Sequence, residues 1–156
     1  MKIGTVQRKL MGILNEGTTK KIISWDFDGT LFDQAAERLY AETSELYNRQ
    51  EKSGEYIVLV CTYRSKSDSK EIKNHLHLPT VVCTDGEDKL QVLLDKFPFL
   101  EVEAHYDDDV YAVNDFASCG IDAYFVYDPD EAGIEKKLKA LDPRVKLMEI
   151  DKTKLA

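Results

Sequence analysis

Five short stretches of this chain, residues 21–25, 56–61, 80–83, 102–106 and 123–127, are β-rich and mostly apolar without strict alternation. A strand with one wet face alternates apolar and polar side chains, whereas a strand covered on both faces reads as a near-continuous apolar run. The stretches therefore predict a parallel sheet buried between two layers of helices. Ala36, Leu39, Tyr40, Thr43, Leu46 and Tyr47 mark one face of a first helix, which ends near Ser53-Gly54, where glycine suits the left-handed residue that closes a helix. Residues 67–76, 88–97, 109–119 before Gly120 and 131–141 before Pro143 supply the other helices. Residues 1–19 predict an extra helix through Leu10, Met11, Ile13 and Leu14, and residues 145–150 an extra edge strand.

Strand and helix alternation implies right-handed crossovers and a three-layer, doubly wound (Rossmann-like) α/β fold of about five strands, in which ligands bind at the carboxyl ends of strands where the strand order reverses. Polar residues stand at those ends: Asp26 after the first strand, Thr62 after the second and Asp107 after the fourth.

With 156 residues the chain suffices for one domain with a substantial core and is too short for two ordinary ones, so it reads as a single domain. A composition 43% hydrophobic and 32% charged, without repeats or low-complexity tracts, predicts an ordered globule. No run could span a bilayer. Residues 1–21 carry Arg8, Lys9 and Glu16 among short apolar clusters and lack the apolar centre of a signal peptide, so the expectation is a cytoplasmic protein without membrane contact. Cys61, Cys83 and Cys119 are odd in number, lie in apolar stretches and show no zinc spacing, which reads as reduced core thiols. A net charge of −8 opposes general nucleic-acid binding, which sets Lys and Arg against phosphates, but leaves polynucleotide ends open as substrates. Basic residues are absent from 97 to 135 and dense from Lys136 to Lys154, a solvated helix face or a local basic surface.

The chemistry is left to a few positions. Asp26-Phe27-Asp28-Gly29-Thr30 follows the run Ile22-Ile23-Ser24-Trp25, so two carboxylates leave a buried strand together. At about 4 Å and an effective dielectric of about 20 two such charges repel by roughly 4 kcal/mol, and a cation or a shared proton must offset that. Taken alone, the same residues also read as a strand-ending turn. Thr62 closes the second apolar run and precedes Tyr63-Arg64, whose guanidinium is either a fork for phosphate or an exposed loop arginine. Lys89 starts a helix four residues after Asp85, a spacing shared with ordinary surface pairs. Asp107-Asp108-Asp109 closes the fourth strand, and Asp109 reads as the N-terminal charge of the next helix. His75 and His77, without an acid or cysteine partner, read as a helix end, and His105, just before the acid cluster, as packing, with tuning of those acids as the alternative.

Asp-x-Asp-Gly-Thr-Leu after a strand, a Thr after a second strand, a Lys at a helix start and Asp-Asp after a fourth strand, in that order, resemble the four motifs of the haloacid dehalogenase (HAD) superfamily of aspartate-nucleophile phosphohydrolases. The resemblance covers residues 21–128, and its order differs from that of response-regulator receivers, where the acidic pair comes first. It implies that Asp26 attacks phosphorus and that Asp28 is the general acid and base, the two carboxylates reaching opposite sides of one phosphoryl group because alternate residues leaving a strand point the same way. It implies further that Thr62 and Lys89 hold phosphoryl charge. Gly29 makes the sharp turn and, with Thr30, Tyr63 and Arg64, lies against substrate. Mg2+ is held by Asp26, by Asp28 through its carbonyl and by Asp107, while Asp108 acts through water or steadies Lys89 and Asp85 stands behind them. An acid at Asp28 implies cleavage of an oxygen–phosphorus bond. The intervals from Leu31 to Tyr56 and from Thr62 to Lys89 leave no room for the large cap that selects substrates in this superfamily, so the site is expected to be open. Asp26 to Thr30, Arg64, Asp85 to Lys89 and Tyr106 to Asp108 also resemble the phosphatase domains of phage polynucleotide kinase-phosphatases, which tips the expected substrate towards nucleic-acid ends or nucleotides. A small-molecule nucleotide or sugar phosphatase is the alternative, followed by an inactive scaffold. No kinase P-loop is present.

Overall fold

The computed structural model describes residues 20–77 and 79–156, so the expected helix within residues 1–19 lies outside the described residues. The chain runs through β1 (Lys21–Trp25), a short hairpin of β2 (Phe32–Asp33) and β3 (Arg38–Leu39), α1 (Ala41–Ser53) and β4 (Tyr56–Thr62). A 3-10 turn (Lys66–Asp68) leads into α2 (Ser69–His75), then β5 (Thr80–Cys83), α3 (Lys89–Lys96), β6 (Val102–Asp107), α4 (Val110–Ser118), β7 (Asp122–Tyr127), α5 (Ile134–Lys139) and β8 (Lys146–Glu149). Six strands form one parallel sheet in the order β5-β4-β1-β6-β7-β8. The expected edge strand at 145–150 is thus real, and it raises the count from five to six.

Alternate residues of β1 divide between two cores. Ile22 joins Leu59, Cys61, Val82, Leu93, Val113, Phe116 and Phe125 under α3, α4 and α5. Ile23 and Trp25 join Val60, Tyr47, Ile72, Tyr106 and Val126 on the face of α1 and α2. Both faces of the central strand are therefore dry, which is why its sequence is continuous rather than alternating. Trp25 is fully buried, stacks on Tyr106 at 3.9 Å and donates its indole N–H to Gln50 of α1 at 2.8 Å. An aromatic of this size with its polar edge satisfied holds α1 against the sheet.

The first helix begins later than its periodicity predicts. Ala36 and Leu39 are not helical: Phe32 pairs with Leu39 and Asp33 with Arg38, around a turn in which Glu37 has φ 53°. The backbone of this segment has distant partners, since Tyr40 N–H donates to Leu31 O, Ala41 N–H to Lys154 O, and Ala156 N–H to Leu39 O. Local apolar spacing cannot register such partners. Helix α1 then closes at Gly54, with φ 70°, as its sequence implies. The three cysteines are free, but Cys119 is exposed at the end of α4 and is not a core thiol. Among the described residues no helix is long and apolar enough to cross a membrane.

Candidate active site

From β1 the chain crosses to β4 and β5 on one side and then to β6 and β7 on the other. The carboxyl ends of β1, β4 and β6 meet at this reversal and carry Asp26, Thr62 and Asp107. They open into a cleft of about 340 Å3 lined by Asp26, Asp28, Thr62, Tyr63, Arg64, Lys89, Asp107, Asp108 and Asp109.

Lys89, the first residue of α3, is only 2% exposed. Asp88 before it caps the helix by accepting from Gln91 N–H. The Lys89 ammonium donates to Asp26 Oδ1 at 2.8 Å and to Asp107 Oδ2 at 2.7 Å, and lies 4.3 Å from the centre of the Tyr63 ring. Asp26 accepts a second bond, from the Thr30 hydroxyl to Oδ2 at 2.7 Å. Asp107, fully buried, has three donors: Lys89 and His105 Nε2 (2.8 Å) on Oδ2, and the Asp109 N–H on Oδ1. Packing is the first expectation for His105, and tuning of the neighbouring acids the second. It does stack on Phe116 at 4.0 Å, but it also joins Ser24 Oγ to Asp107 in one buried chain. Two residues along a strand share a face, and that spacing was the available sequence signal.

These contacts set the charges. Burial alone would push the Asp107 carboxyl up, yet Lys89 and His105 outweigh it and hold the group at about 2. Burial and the Asp107 charge push the Asp26 carboxyl well above the usual range, against the pull of Lys89. The two acids share one lysine and move in opposite directions because Asp107 has more donors: Asp107 is the settled anion and Asp26 the strained one. Lys89 itself is held charged, since Asp26 and Asp107 overcome the burial that opposes it. Burial lowers His105, so the neutral ring donates from Nε2 to Asp107 and accepts at Nδ1 from Ser24.

Asp108 lies closer to the centre than expected. Asp26, Asp107 and Asp108 each bring a carboxylate oxygen to within 4.8 Å of one another, whereas Lys89 is steadied by Asp26 and Asp107 rather than by Asp108. Burial and the charge of Asp107 push the Asp108 carboxyl up. Asp109 caps α4 by accepting from Ala112 N–H, as its position implies, and also accepts from the Tyr63 hydroxyl.

The turn after Asp26 is built on the Phe27 carbonyl, which accepts from Thr30, Leu31 and Phe32 N–H, and on Gly29 at φ 79°. A Cβ on Gly29 would collide with Asp108 Oδ2. Gly29→Ala is therefore expected to lower stability by about 1–2 kcal/mol from the left-handed backbone alone, and to displace Asp108 as well. Urea unfolding measures the first effect, and a loss below about 0.5 kcal/mol would contradict it.

Thr62 is buried at the end of β4, where its hydroxyl accepts from Arg64 N–H. The Arg64 guanidinium does not point a free fork into the cleft: both arms hold Asp28, at 2.7 Å each, and a third nitrogen reaches Glu71 at 3.0 Å. Asp85 stands apart. It is exposed, has φ 54°, and among the described residues reaches the site through its backbone N–H to Arg64 O. His75 ends α2 against Phe32 at 4.6 Å, and His77 follows in the left-handed region, with no metal partner among the described residues.

Neither a family model nor a curated protein matches this sequence. Among solved structures, the chain is similar to the cobalt-bound deoxy-D-mannose-octulosonate 8-phosphate phosphatase of Haemophilus influenzae, with 20% identity over 83% of this chain and 78% of that one and a TM-score of 0.53. It is similar to the D,D-heptose 1,7-bisphosphate phosphatase of Burkholderia thailandensis, with 16% identity, 83% and 92% coverage and a TM-score of 0.56. A third is the 3-deoxy-D-manno-octulosonate 8-phosphate phosphatase of Moraxella catarrhalis in complex with magnesium, phosphate and KDO, with 19% identity, 88% and 80% coverage and a TM-score of 0.50. At these identities the likeness establishes architecture, and the chain has the HAD-like α/β fold that these phosphatases share.

Proposed function

We propose that this protein is a Mg2+-dependent phosphomonoester hydrolase that works through an aspartyl-phosphate on Asp26 and acts on a small phosphorylated molecule. The observation that carries the reading is the convergence of Asp26, Lys89, Asp107 and Asp108 at the reversal of strand order, with Asp28 and Thr62 in the same cleft.

The donor set fits a hard divalent cation: three carboxylates crowd within 4.8 Å, and one of them, Asp26, is strained as an anion despite its bonds from Lys89 and Thr30. Asp26, Asp107 and Asp108 would hold Mg2+, with the Asp28 carbonyl as a further oxygen. Bound there, Mg2+ supplies electrophilic stabilisation of the phosphoryl oxygens.

The chain's own residues carry the steps. Lys89 and Thr30 fix both oxygens of Asp26, which leaves the carboxylate one orientation from which to attack phosphorus. As that bond forms, the bond from phosphorus to the leaving oxygen breaks, and Asp28 gives its proton to the leaving oxygen. Asp28 then takes a proton from water, which attacks phosphorus and releases phosphate and Asp26. Lys89 and the Thr62 hydroxyl offset the charge that gathers on the phosphoryl oxygens.

Charge favours a small substrate. Five aspartates line the cleft against Lys89 and Arg64, and both cations are already engaged by two carboxylates each. A polyanionic strand would meet repulsion beyond its reacting phosphate, whereas a compact monophosphate presents little else. The similar structures named for sugar phosphates support the same choice. Phosphate release from sugar phosphates, nucleotides, 3'- and 5'-phosphorylated oligonucleotides and phosphopeptides, with Mg2+ and with chelator, tests the reading. Preference for oligonucleotides would overturn the substrate class, and full turnover in chelator the role of Mg2+.

Asp28→Asn is expected to cut kcat/KM for alkyl phosphates by about 10²–10⁴-fold. Activated aryl phosphates, whose leaving groups depart without a proton, should lose far less. Equal losses on both would remove Asp28 from the role of general acid.

A further inference from the structure

Arg64 is bound on every side by elements that meet at the mouth of the cleft. Its Nε and one terminal nitrogen donate to the two oxygens of Asp28 at 2.7 Å each, and the other terminal nitrogen donates to Glu71 of α2 at 3.0 Å. The guanidinium carbon lies 5.4 Å from the centre of the Phe27 ring and 6.0 Å from that of Phe32. Those two rings stack on each other at 4.6 Å, so the loop after β1, the hairpin and α2 are joined through one side chain. Its own backbone is tied as well, with N–H donating to the Thr62 hydroxyl and O accepting from Asp85 N–H. A fork so occupied is committed to the carboxylate and is not waiting for an anion.

We propose that Arg64 is a positioning residue: its guanidinium holds the Asp28 carboxylate in the one orientation from which it can pass a proton to the leaving oxygen, instead of gripping the substrate's phosphate. This rests on the reading of Asp28 as the general acid. Asp28 is half-buried at the start of the turn, and its side chain makes no other hydrogen bond among the described residues, so the fork alone fixes its carboxylate. A carboxylate has about four lone-pair positions, and a bidentate arginine uses two of them. One lone pair on each oxygen remains for the proton in transit. The phosphoryl group is left to Lys89, Thr62 and backbone N–H groups. Lysine cannot replace this arrangement, because an ammonium is a point charge without the planar fork that fixes carboxylate orientation.

The proposal separates the two roles of Arg64 experimentally. Arg64→Lys, which keeps the charge and loses the fork, is expected to lower kcat/KM about 10²-fold on an alkyl phosphate and only about threefold on p-nitrophenyl phosphate, the contrast expected from losing a general acid's alignment. Inhibition by inorganic phosphate should stay within about twofold of wild type, and in an Asp28→Asn background Arg64→Lys should cost little more, because the two residues act as one unit. Equal losses on the two substrates, phosphate inhibition weakened tenfold or more, or additive losses in the double variant would each overturn the proposal and return Arg64 to phosphate binding. Should Arg64→Lys fail to fold, Glu71→Gln decides: it removes only the outer anchor, and a loss confined to the alkyl phosphate supports the proposal while no selective loss overturns it. A wild type inactive on both substrates would sink the hydrolase reading itself, whereas Asp28→Asn with equal losses would remove Asp28 as the general acid and this proposal with it.

Discussion

Asp26→Asn is expected to lower kcat by at least about 10⁴-fold, because an amide oxygen is a poor nucleophile and the covalent route has no substitute for it. The fold should survive. Asp26 is 5% exposed and its carboxyl is pushed well above the usual range by burial and by Asp107, so the native site pays to keep an anion there. An asparagine can still accept from Lys89 through its oxygen and donate from its amide to the Thr30 hydroxyl, while Lys89 keeps its bond to Asp107. Removing a strained charge while keeping both hydrogen bonds should leave the melting temperature unchanged or raise it. Kinetics and a thermal melt on the same preparation check both halves. Turnover within about tenfold of wild type would remove Asp26 from the role of nucleophile. Lost turnover with a melting temperature lowered by about 10 °C or more, roughly 2–5 kcal/mol for a chain of this size, would mean that the residue is needed for the fold and that the kinetic result says nothing about attack.

Much of this site could be read from the sequence because its residues stand where local signals are strong. Asp26 follows a mostly apolar strand, Thr62 and Asp107 each end one, and Lys89 follows a capping Asp88 that marks the start of a helix. What the sequence did not reveal depends on partners distant along the chain. Ala36, Leu39 and Tyr40 fall in phase with Thr43 and Tyr47 and so read as the start of a helix, although Leu39 pairs with Phe32 and the backbone here bonds to residues 154 and 156. Arg64 offered a free fork in sequence, and only the turn after β1 brings Asp28 to fill it. His105 is an ordinary core residue by pattern, and its bond to Asp107 appears only when the strand's shared face is taken together with the burial of both residues. The motif order gives Asp108 a role through water or through Lys89, and only the turn at Gly29 shows its carboxylate within 4.8 Å of those of Asp26 and Asp107.

Mg2+ should raise the melting temperature of the wild-type protein, and Asp107→Asn should remove most of that rise. In the absence of a divalent cation, Lys89 bonds to Asp26 and Asp107, yet burial and neighbouring charge still push the carboxyls of Asp26 and Asp108 up. A cation that binds only the folded state adds stability by mass action, about 2.7 kcal/mol at a hundred times its dissociation constant, which corresponds to roughly 5–10 °C for a chain of this size. Asparagine is a cleaner replacement than alanine at this position. Alanine would leave the buried His105 Nε2 and one Lys89 N–H without an acceptor, at about 1–3 kcal/mol for each unsatisfied group, and would confuse metal loss with misfolding. Asparagine keeps an oxygen for Lys89 and His105 and loses the charge that a hard cation seeks; its amide cannot accept from Asp109 N–H, so one of the three bonds is lost rather than all. The expected result is a variant that melts near the wild-type temperature in chelator, gains less than about a third of the wild-type rise at saturating Mg2+, and has almost no phosphatase activity. The melt reads the metal site without reference to turnover, so it stands even if the substrate is unknown. An equal Mg2+ shift in the wild type and Asp107→Asn, or no shift in the wild type at millimolar Mg2+, would show that the cation is not held by Asp107 and its neighbours.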